Sequence, residues 1–315
     1  MAGLRIIHPG MLTTVQDLGR PGHTALGVSP SGAADTISLR VGNRLVGNAD
    51  GAAALEMTLQ GGEFGFDSAM AIALAGATAR ASLISGGSEQ VLASWSVAIV
   101  RAGDRLRVGP MLSGARSYLC VPGGICVDPV LGSRSTHVAT GLGPRPLGAG
   151  DLLPIGIGSR PPRELPAGAR RLVTEAIERR TLRITARDDD PAMAALATAL
   201  CDRPFTVRDR SDRQGIRLAG ALSTGAGSRG RMITEGLPPG AVQLPESGEP
   251  IILLADRPTT GGYPVIACIA SADLPACGQL RPREAVRFQR VTIDEARRCH
   301  REQHQQLNDV LPPVE

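Results

Sequence analysis

The 315-residue sequence contains no lysine, so all 34 of its Lys-plus-Arg residues are arginine. A Schiff base or a catalytic lysine is therefore excluded, and so is a P-loop, whose phosphate-binding motif requires lysine. Aromatic residues make up only 2% of the chain. The core must therefore be built mainly from Ala, Val, Ile and Leu. Because few rings are present to stack bases and the net charge is only +4, we expect no nucleic-acid partner.

Long apolar runs and metal-binding patterns are also missing. No stretch approaches the roughly 18 consecutive apolar residues of a transmembrane helix, and the first residues lack the apolar core of a signal peptide. We therefore expect a cytoplasmic protein with no membrane partner. The cysteines show neither a CxxC pair nor a metal-like spacing with histidine, which predicts free thiols and no metal site. They are Cys120, Cys126, Cys201, Cys268, Cys277 and Cys299.

Glycine and proline are abundant, with 39 and 24 copies. They divide the chain into short segments that are typical of strands in compact β-barrels. Four pairs of similar segments occur in the same order, which indicates an internal repeat; in one pair, residues 35–40 correspond to residues 212–217. The sequence therefore predicts a mainly β fold of two β-barrel lobes with a few short helices.

The predicted boundaries follow from the repeat and from composition. Helices are expected over 35–45, with Asp35 as the N-cap, over 191–201, with Asp190 as the cap, and over 294–307. The polar, proline-rich composition of the segment between the repeats, which begins at residue 158, predicts a linker. The predicted organisation is a first lobe over 1–157 with an insertion near 67–115, a linker over 158–180, a second lobe over 181–292 and a C-terminal tail over 293–315.

The segment ADRPTTGGYP (255–264) follows a short apolar run that predicts a buried strand. Tandem glycines allow a close approach of the backbone to a ligand, and Arg257 offers a planar fork for a carboxylate or phosphate. The alternative is a tight loop in which Asp256 and Arg257 pair with each other. The predicted catalytic residues are Asp256, Arg257 and Glu235, and the predicted substrate-binding residues of this loop are Thr259, Thr260, Gly261, Gly262 and Tyr263.

Further candidates lie in the N-terminal half. Asp17 and Arg20 flank a stiff Gly-Arg-Pro-Gly turn that could clamp an anion or simply hold an Asp–Arg pair. Ser31 and Gly32 precede the helix near Asp35, where N–H groups either bind an anion or are capped. Arg134 and Ser135 place a charge beside hydroxyl groups that could line a cleft. Glu56 is another possible acid or base, although most lone glutamates are surface charges, and His137 is a weak candidate beside the same hydroxyl groups.

Five motifs together resemble a known family: TVQDLGRPG (14–22), GVSPSGA (27–33), LGSRST (131–136), SDR (211–213) and ADRPTTGGYP (255–264). In this order they are similar to the biotin-dependent carboxyltransferase-like family, also called allophanate hydrolase subunit 2, from about residue 4 to 291. The resemblance implies that the two lobes are cyclophilin-like. It also implies a partner of the subunit-1 or subunit-B type and, in the oxoprolinase, a further subunit-A-type protein.

The family resemblance leaves three functions open. The first is a subunit of an ATP-dependent 5-oxoprolinase that converts 5-oxo-L-proline to L-glutamate, with ATP used by the complex rather than bound by this chain alone. The second is a regulatory protein that binds a kinase inhibitor. The third is the carboxyltransferase half of a urea-carboxylase-like system, with biotin as cofactor and a urea-like substrate. The sequence contains no biotin-carrier or biotin-carboxylase module, which counts against the third function. The regulatory function is implied only for a narrow group of sporulating organisms, whereas the lysine-free composition indicates a high-GC genome, so the first function is favoured.

Overall fold

Two units, each built mainly of β-strands, make up the protein. The computed structural model describes residues 3–187, 190–222 and 234–314. Unit 1 comprises Met1–Arg20, Ser31–Thr174 and Gln306–Glu315, and unit 2 comprises Pro21–Pro30 and Glu175–Gln305. The mainly β fold with two lobes is thus confirmed, whereas the lobe boundaries drawn from the sequence stay a prediction.

Unit 1 contains a curled, nine-stranded sheet. Its strands are β1 (Gly3–His8), β2 (Thr13–Gln16), β3 (Ala54–Thr58), β4 (Glu63–Phe66), β5 (Met70–Ser85), β6 (Ser88–Val91), β7 (Ser96–Val100), β8 (Arg105–Cys120) and β9 (Leu152–Pro154). Six of them follow the order β2-β3-β8-β4-β1-β9, and β5 pairs with β8, β6 and β7. The long antiparallel β5–β8 pair contains three register shifts, and such bulges bend a sheet. Strands β5, β6 and β7 and most of β8 lie in the segment near 67–115 that was predicted as an insertion, and β8 continues beyond it to Cys120.

The core of unit 1 is almost entirely aliphatic, as the shortage of aromatic residues predicts. Phe64 and Phe66 are its two phenylalanines, and they point inward because alternate residues of β4 share one face. Leu106 and Val108 alternate in the same way along the start of β8. The period-two pattern therefore determines which face of the sheet covers the core.

Unit 2 contains a closed barrel of seven strands in the order β10-β17-β14-β15-β12-β11-β18. The barrel strands are β10 (Thr181–Ala186), β11 (Phe205–Val207), β12 (Gly215–Ala219), β14 (Ala241–Gln243), β15 (Ile251–Leu253), β17 (Val265–Ile269) and β18 (Ala285–Arg290). Strands β13 (Glu235–Gly236) and β16 (Thr260–Gly261) form a separate two-stranded ladder. The parallel pair β10–β18 closes the barrel, with Leu182 opposite Phe288. Phe205 and Phe288 pack edge to face in the core, with ring centroids 5.9 Å apart.

The helices are α1 (Thr36–Leu45), α2 (Ala167–Ile177), α3 (Pro191–Cys201), α4 (Leu274–Gly278) and α5 (Ile293–Val310). Asp35 caps α1 by accepting a hydrogen bond from the Ser38 nitrogen at 3.0 Å, and Asp190 caps α3. Thr292 and Glu295 form a reciprocal capping box at the start of α5. The three predicted helices are therefore confirmed, whereas α2 lies in the segment predicted as a linker. None of the helices in the described ranges is long and apolar enough to cross a lipid bilayer.

Candidate functional site

The Asp17 side chain organises a loop in unit 1. Its Oδ1 accepts hydrogen bonds from Ser133 Oγ and Ser135 Oγ, both at 2.6 Å, and from the Gly19 nitrogen at 2.7 Å. Its Oδ2 accepts a hydrogen bond from the Arg134 nitrogen at 2.6 Å. Hydrogen bonds to a carboxylate are stronger than those between neutral groups. The structure therefore brings Asp17, Arg134 and Ser135 together, although they are more than a hundred residues apart.

The guanidinium groups of Arg20 and Arg134 donate to backbone oxygens of the same loop. Arg20 is 1% exposed; its Nε donates to the Val130 oxygen at 3.3 Å and its Nη2 donates to the Ser135 oxygen. The Arg134 Nε donates to the Val127 oxygen at 2.8 Å. Both arginines thus brace the loop that Asp17 holds, and their role in substrate binding stays a prediction.

Ser31 and Gly32 adopt left-handed backbone conformations, with φ of 56° and 94°. Ser31 Oγ donates to the Thr136 oxygen at 2.9 Å, which ties this segment to the same loop. A Cβ on Gly32 would lie 2.8 Å from the Gly19 nitrogen, so a side chain there would collide with the neighbouring turn. The predicted ligand contacts of Ser31 and Gly32 remain untested.

Protein groups engage the N–H donors that precede α1. Glu56 Oε2 accepts from the Ala34 nitrogen at 3.0 Å, and the Tyr118 hydroxyl accepts from the Asp35 nitrogen at 2.9 Å. Tyr118 in turn donates to Glu56 Oε2 at 2.7 Å. Burial, followed by the charges of Glu56 and Asp35, raises the pKa of Tyr118 well above its ordinary value. Glu56, which is 1% exposed and 3.4 Å from Arg116 Nε, therefore anchors the helix start.

Three buried polar atoms of unit 1 belong to residues that the sequence indicated only weakly: His137 was a weak candidate, and Gln16 and Thr136 appeared only as members of motifs. Among the residues that the structure describes, Gln16 Oε1, Thr136 Oγ1 and His137 Nε2 have no hydrogen-bond partner. His137 Nδ1 accepts from the Thr140 nitrogen at 3.3 Å, so the neutral ring carries its proton on Nε2. An unsatisfied buried polar group costs about 1–3 kcal/mol.

In unit 2, Asp256 pairs with Arg213 rather than with Arg257. The Arg213 Nε lies 2.8 Å from Asp256 Oδ2, and its Nη2 lies 2.9 Å from Oδ1. Both side chains are buried. This bidentate pair connects the SDR motif to the start of the glycine loop, residues 256–264. A catalytic role of Asp256 remains a prediction, because its carboxylate already holds Arg213.

Arg257 is buried, and among the residues that the structure describes it donates hydrogen bonds only to neutral groups. Its Nε donates to the Leu237 oxygen at 2.9 Å and its Nη1 to the Leu254 oxygen at 3.5 Å. No carboxylate within the described ranges forms an ion pair with it. Burial lowers the pKa of Arg257. Burial also raises the pKa of the Cys268 thiol, and the positive charge of Arg257 offsets part of that increase. An arginine nevertheless stays protonated in proteins, so Arg257 supplies a buried positive charge.

The glycine loop is aligned with Glu235 by the β13–β16 ladder. Glu235 lies opposite Gly261, and Gly236 lies opposite Thr260. The Leu237 nitrogen donates to the Thr259 oxygen at 2.9 Å. The Glu235 carboxylate is 34% exposed and lies 3.0 Å from Arg187 Nη1. Glu235 therefore belongs to the same site as the loop, although about twenty residues separate them in the sequence.

Close packing fixes the shape of the loop. A Cβ on Gly261 would lie 2.8 Å from both Leu237 Cδ1 and Gln243 Nε2. The Gln243 Nε2 also donates to the Tyr263 oxygen at 3.4 Å. The Tyr263 side chain is 49% exposed and Gly262 is half-buried. The loop thus offers hydroxyl groups of Thr259, Thr260 and Tyr263, and a side chain at position 261 would require Leu237 and Gln243 to move.

This chain is similar to proteins of known name over most of its length. The subunit-C protein of 5-oxoprolinase from Escherichia coli (strain K12) is 38% identical over 303 residues, which are 95% of this chain and 95% of that protein. The crystal structure of TTHA0988 has a TM-score of 0.79 at 35% identity, with 92% of this chain matched to 56% of that chain. This chain therefore spans little more than half of that solved protein.

Two further comparisons concern carboxyltransferases. The crystal structure of the Kluyveromyces lactis urea carboxylase has a TM-score of 0.86 at 27% identity, covering 98% of this chain and 29% of that chain. A family model described as "Carboxyltransferase domain, subdomain A and B" matches residues 26–290. The match extends over most of the sequence and includes four of the five motifs in full. The chain therefore belongs to the family of carboxyltransferase domains, subdomain A and B.

Proposed function

We propose that this chain is one component of an ATP-dependent 5-oxoprolinase, which converts 5-oxo-L-proline to L-glutamate in the cytoplasm. The observation that carries the proposal is the end-to-end match with the subunit-C protein of the Escherichia coli 5-oxoprolinase, which covers 95% of both chains. The partners are a subunit-B-type protein and a subunit-A-type protein. ATP acts in the complex, and this chain alone does not bind it.

Arg257 is assigned to the substrate carboxylate. 5-Oxoproline carries one carboxylate, and Arg257 is a buried cation that has no carboxylate partner among the described residues. A guanidinium binds a carboxylate through two parallel N–H···O bonds, and burial strengthens such bonds. Asp256 is a positioning residue in this proposal, because its pair with Arg213 fixes the loop from which Arg257 projects.

Glu235 is assigned to proton transfer. A lactam is a poor electrophile, and phosphorylation of its oxygen by ATP makes the ring carbon open to attack by water. Water must lose a proton as it adds, and the nitrogen must gain one as the C–N bond breaks; hydrolysis of the resulting acyl phosphate then releases inorganic phosphate and glutamate. Glu235 is a partly exposed carboxylate in the same ladder as the loop. The hydroxyl groups of Thr259, Thr260 and Tyr263 and the backbone at Gly261 and Gly262 orient the ring.

The residues of unit 1 form a second candidate site. Asp17, Arg20, Ser31, Gly32, Arg134 and Ser135 surround the loop that carries Thr136 and His137. In this loop region a hydroxyl group, a ring N–H and the nearby Gln16 oxygen are buried without partners in the described part of the chain. A lactam or urea-like group has both an N–H donor and a carbonyl acceptor, which complement Gln16 and His137. This unit is therefore proposed to bind an amide-like group.

A carboxyltransferase half is the second candidate function. It is favoured by the TM-score of 0.86 with the Kluyveromyces lactis urea carboxylase, although this chain spans only 29% of that protein. Under this alternative, biotin is the cofactor and a urea-like molecule is the acceptor. The match with the 5-oxoprolinase relative over 95% of both chains supports the oxoprolinase role as the first candidate.

ATP-dependent release of glutamate from 5-oxoproline tests the proposal. Partner proteins of the subunit-A and subunit-B types from the same genome are combined with this chain, with its Arg257→Gln variant or with no third component. We expect activity to require this chain and Arg257→Gln to lower kcat/KM by about 10- to 100-fold, since a hydrogen bond to a charged group contributes about 1.5–3 kcal/mol.

The matched control is Arg287→Gln, because Arg287 is an exposed arginine of the same barrel. It should keep the activity of the parent chain. A complex that assembles but releases glutamate equally well without this chain would contradict the oxoprolinase role and leave a regulatory or carboxyl-transfer role. Equal activity of the Arg257→Gln complex would contradict the assignment of Arg257.

A further inference from the structure

Unit 2 has an arginine-rich cleft that none of the proposed chemistry uses. The cleft has a volume of about 1030 Å³. Its charged lining residues are four arginines, Arg208, Arg210, Arg217 and Arg283, and two acids, Asp209 and Glu249. The cleft therefore has more positive than negative charge.

The barrel places two of these arginines side by side. The Arg208 nitrogen donates to the Arg217 oxygen at 2.8 Å, which continues the β11–β12 ladder. Val207 and Leu218 are buried in the barrel core. Since side chains alternate along strands, Arg208 and Arg217 lie on the outer face. Like charges at neighbouring cross-strand positions repel, and Glu249 pairs with Arg208 but not with Arg217.

The two acids of the cleft already have partners. Glu249 forms an ion pair with Arg208, and Asp209 Oδ1 lies 3.5 Å from Arg283 Nε. Arg210 and Arg217 form no ion pair with any residue in the described ranges. Two guanidinium groups are therefore available to negative charges from outside the chain.

We propose that this cleft binds an acidic segment of a partner protein of the complex, through Arg210 and Arg217. This inference rests on the proposed function in one respect, because it requires that the chain assemble with a partner protein. The side chains of Arg210 and Arg217 are both exposed to solvent. An enclosed small-molecule site would bury its charged groups, and a nucleotide site would usually offer a ring to stack the base, which the lining residues do not include. Carboxylates spaced along an extended segment match exposed, separated arginines.

A labelled hexaglutamate peptide is the first probe, compared with inorganic phosphate and ATP. The cleft variant is Arg210→Gln with Arg217→Gln. The control is Arg105→Gln with Arg107→Gln, which removes the same charge from two half-exposed arginines of β8. We expect the cleft variant to weaken peptide binding about tenfold and the control less than about twofold. Binding should also fall steeply from about 50 to about 200 mM salt.

Equal weakening by both variants would overturn the proposal, because it would show only attraction to net charge. Tighter, cleft-dependent binding of phosphate or ATP would also overturn it, in favour of a small phosphate-bearing ligand. Absence of any peptide binding would do the same.

Assembly with the subunit-B-type protein separates this inference from the proposed function. The cleft variant should bind that protein about tenfold more weakly, while Arg257→Gln should bind it as the parent does. Unchanged assembly of the cleft variant would overturn the docking proposal whatever the enzymatic activity. Cleft-dependent assembly without glutamate release would overturn only the oxoprolinase role.

Discussion

Replacement of Asp256 by Asn tests whether its carboxylate stabilises the barrel or takes part in the chemistry. Asp256 and Arg213 form a bidentate pair at 2.8 and 2.9 Å, and each residue is 4% exposed. Removal of one partner leaves a buried charge uncompensated, which costs about 3–5 kcal/mol. We therefore expect Asp256→Asn to lower the free energy of unfolding by this amount. The measurement is urea denaturation followed by circular dichroism.

A double variant sharpens the test. Arg213→Met with Asp256→Leu removes both charges and keeps similar volumes, and apolar replacements of buried pairs are often neutral or stabilising. The double variant should therefore lose much less stability than the two single variants added together. The control is Asp212→Asn, next to Arg213, because Asp212 is exposed and, within the described ranges, accepts only from the nitrogens of Gln214 and Gly215. It should cost about 1 kcal/mol or less.

Two outcomes would contradict a structural role for the Asp256 carboxylate. If Asp256→Asn keeps the stability of the parent chain but the reconstituted complex loses glutamate release, the carboxylate acts in catalysis and the structural argument fails. If the losses of the two single variants simply add in the double variant, the two side chains are not energetically coupled as the geometry requires.

Backbone strain and thiol burial give two more predictions. Gly32→Ala should destabilise the protein by about 1–3 kcal/mol more than Gly22→Ala in thermal unfolding; both glycines have φ near 90°, but only Gly32 would bring a Cβ within 2.8 Å of backbone. Equal losses would contradict the contact argument. Burial raises the pKa of Cys120 and Cys277, so stability should fall as the pH rises above about 8.5, where unfolded thiols ionise. Mass spectrometry after alkylation at mildly alkaline pH should find exposed Cys126 modified first; equal labelling of Cys120 would contradict its burial.

Local signals in the sequence predicted the helices well. Asp35 and Asp190 cap α1 and α3 as expected, because a short acidic side chain before an apolar periodic segment satisfies the first N–H groups. The apolar run before the glycine loop forms β15. These features depend on residues within a few positions of one another, so the sequence contains the necessary information.

Contacts between distant residues were not predictable in this way. The loop at Asp256 was expected either to bind a ligand or to contain an Asp256–Arg257 pair, but Asp256 pairs with Arg213, forty-three positions earlier. Similarly, the Glu56–Tyr118 hydrogen bond joins two strands that the sequence shows only as apolar runs. Which of several arginines meets a buried carboxylate is decided by strand register, which no local pattern specifies.

One repeat match was also misleading. Residues 35–40 and 212–217 share an Asp followed five positions later by an Arg. Asp35 caps a helix that contains Arg40, whereas Asp212 lies in a turn before strand β12, which contains Arg217. The shared spacing therefore does not correspond to a shared local structure.

The parallel β10–β18 pair has a consequence for synthesis of the protein. Strand β10 is made about a hundred residues before β18, so the barrel stays open at this edge until residues 285–290 have left the ribosome. During that time Leu182 and Ile184, which are fully buried in the finished barrel, lie on a strand that lacks this neighbour. Unpaired apolar edges promote aggregation. Slow elongation beyond residue 186 or a shortage of chaperones should therefore lower the yield of native protein more than the stability of the finished barrel suggests.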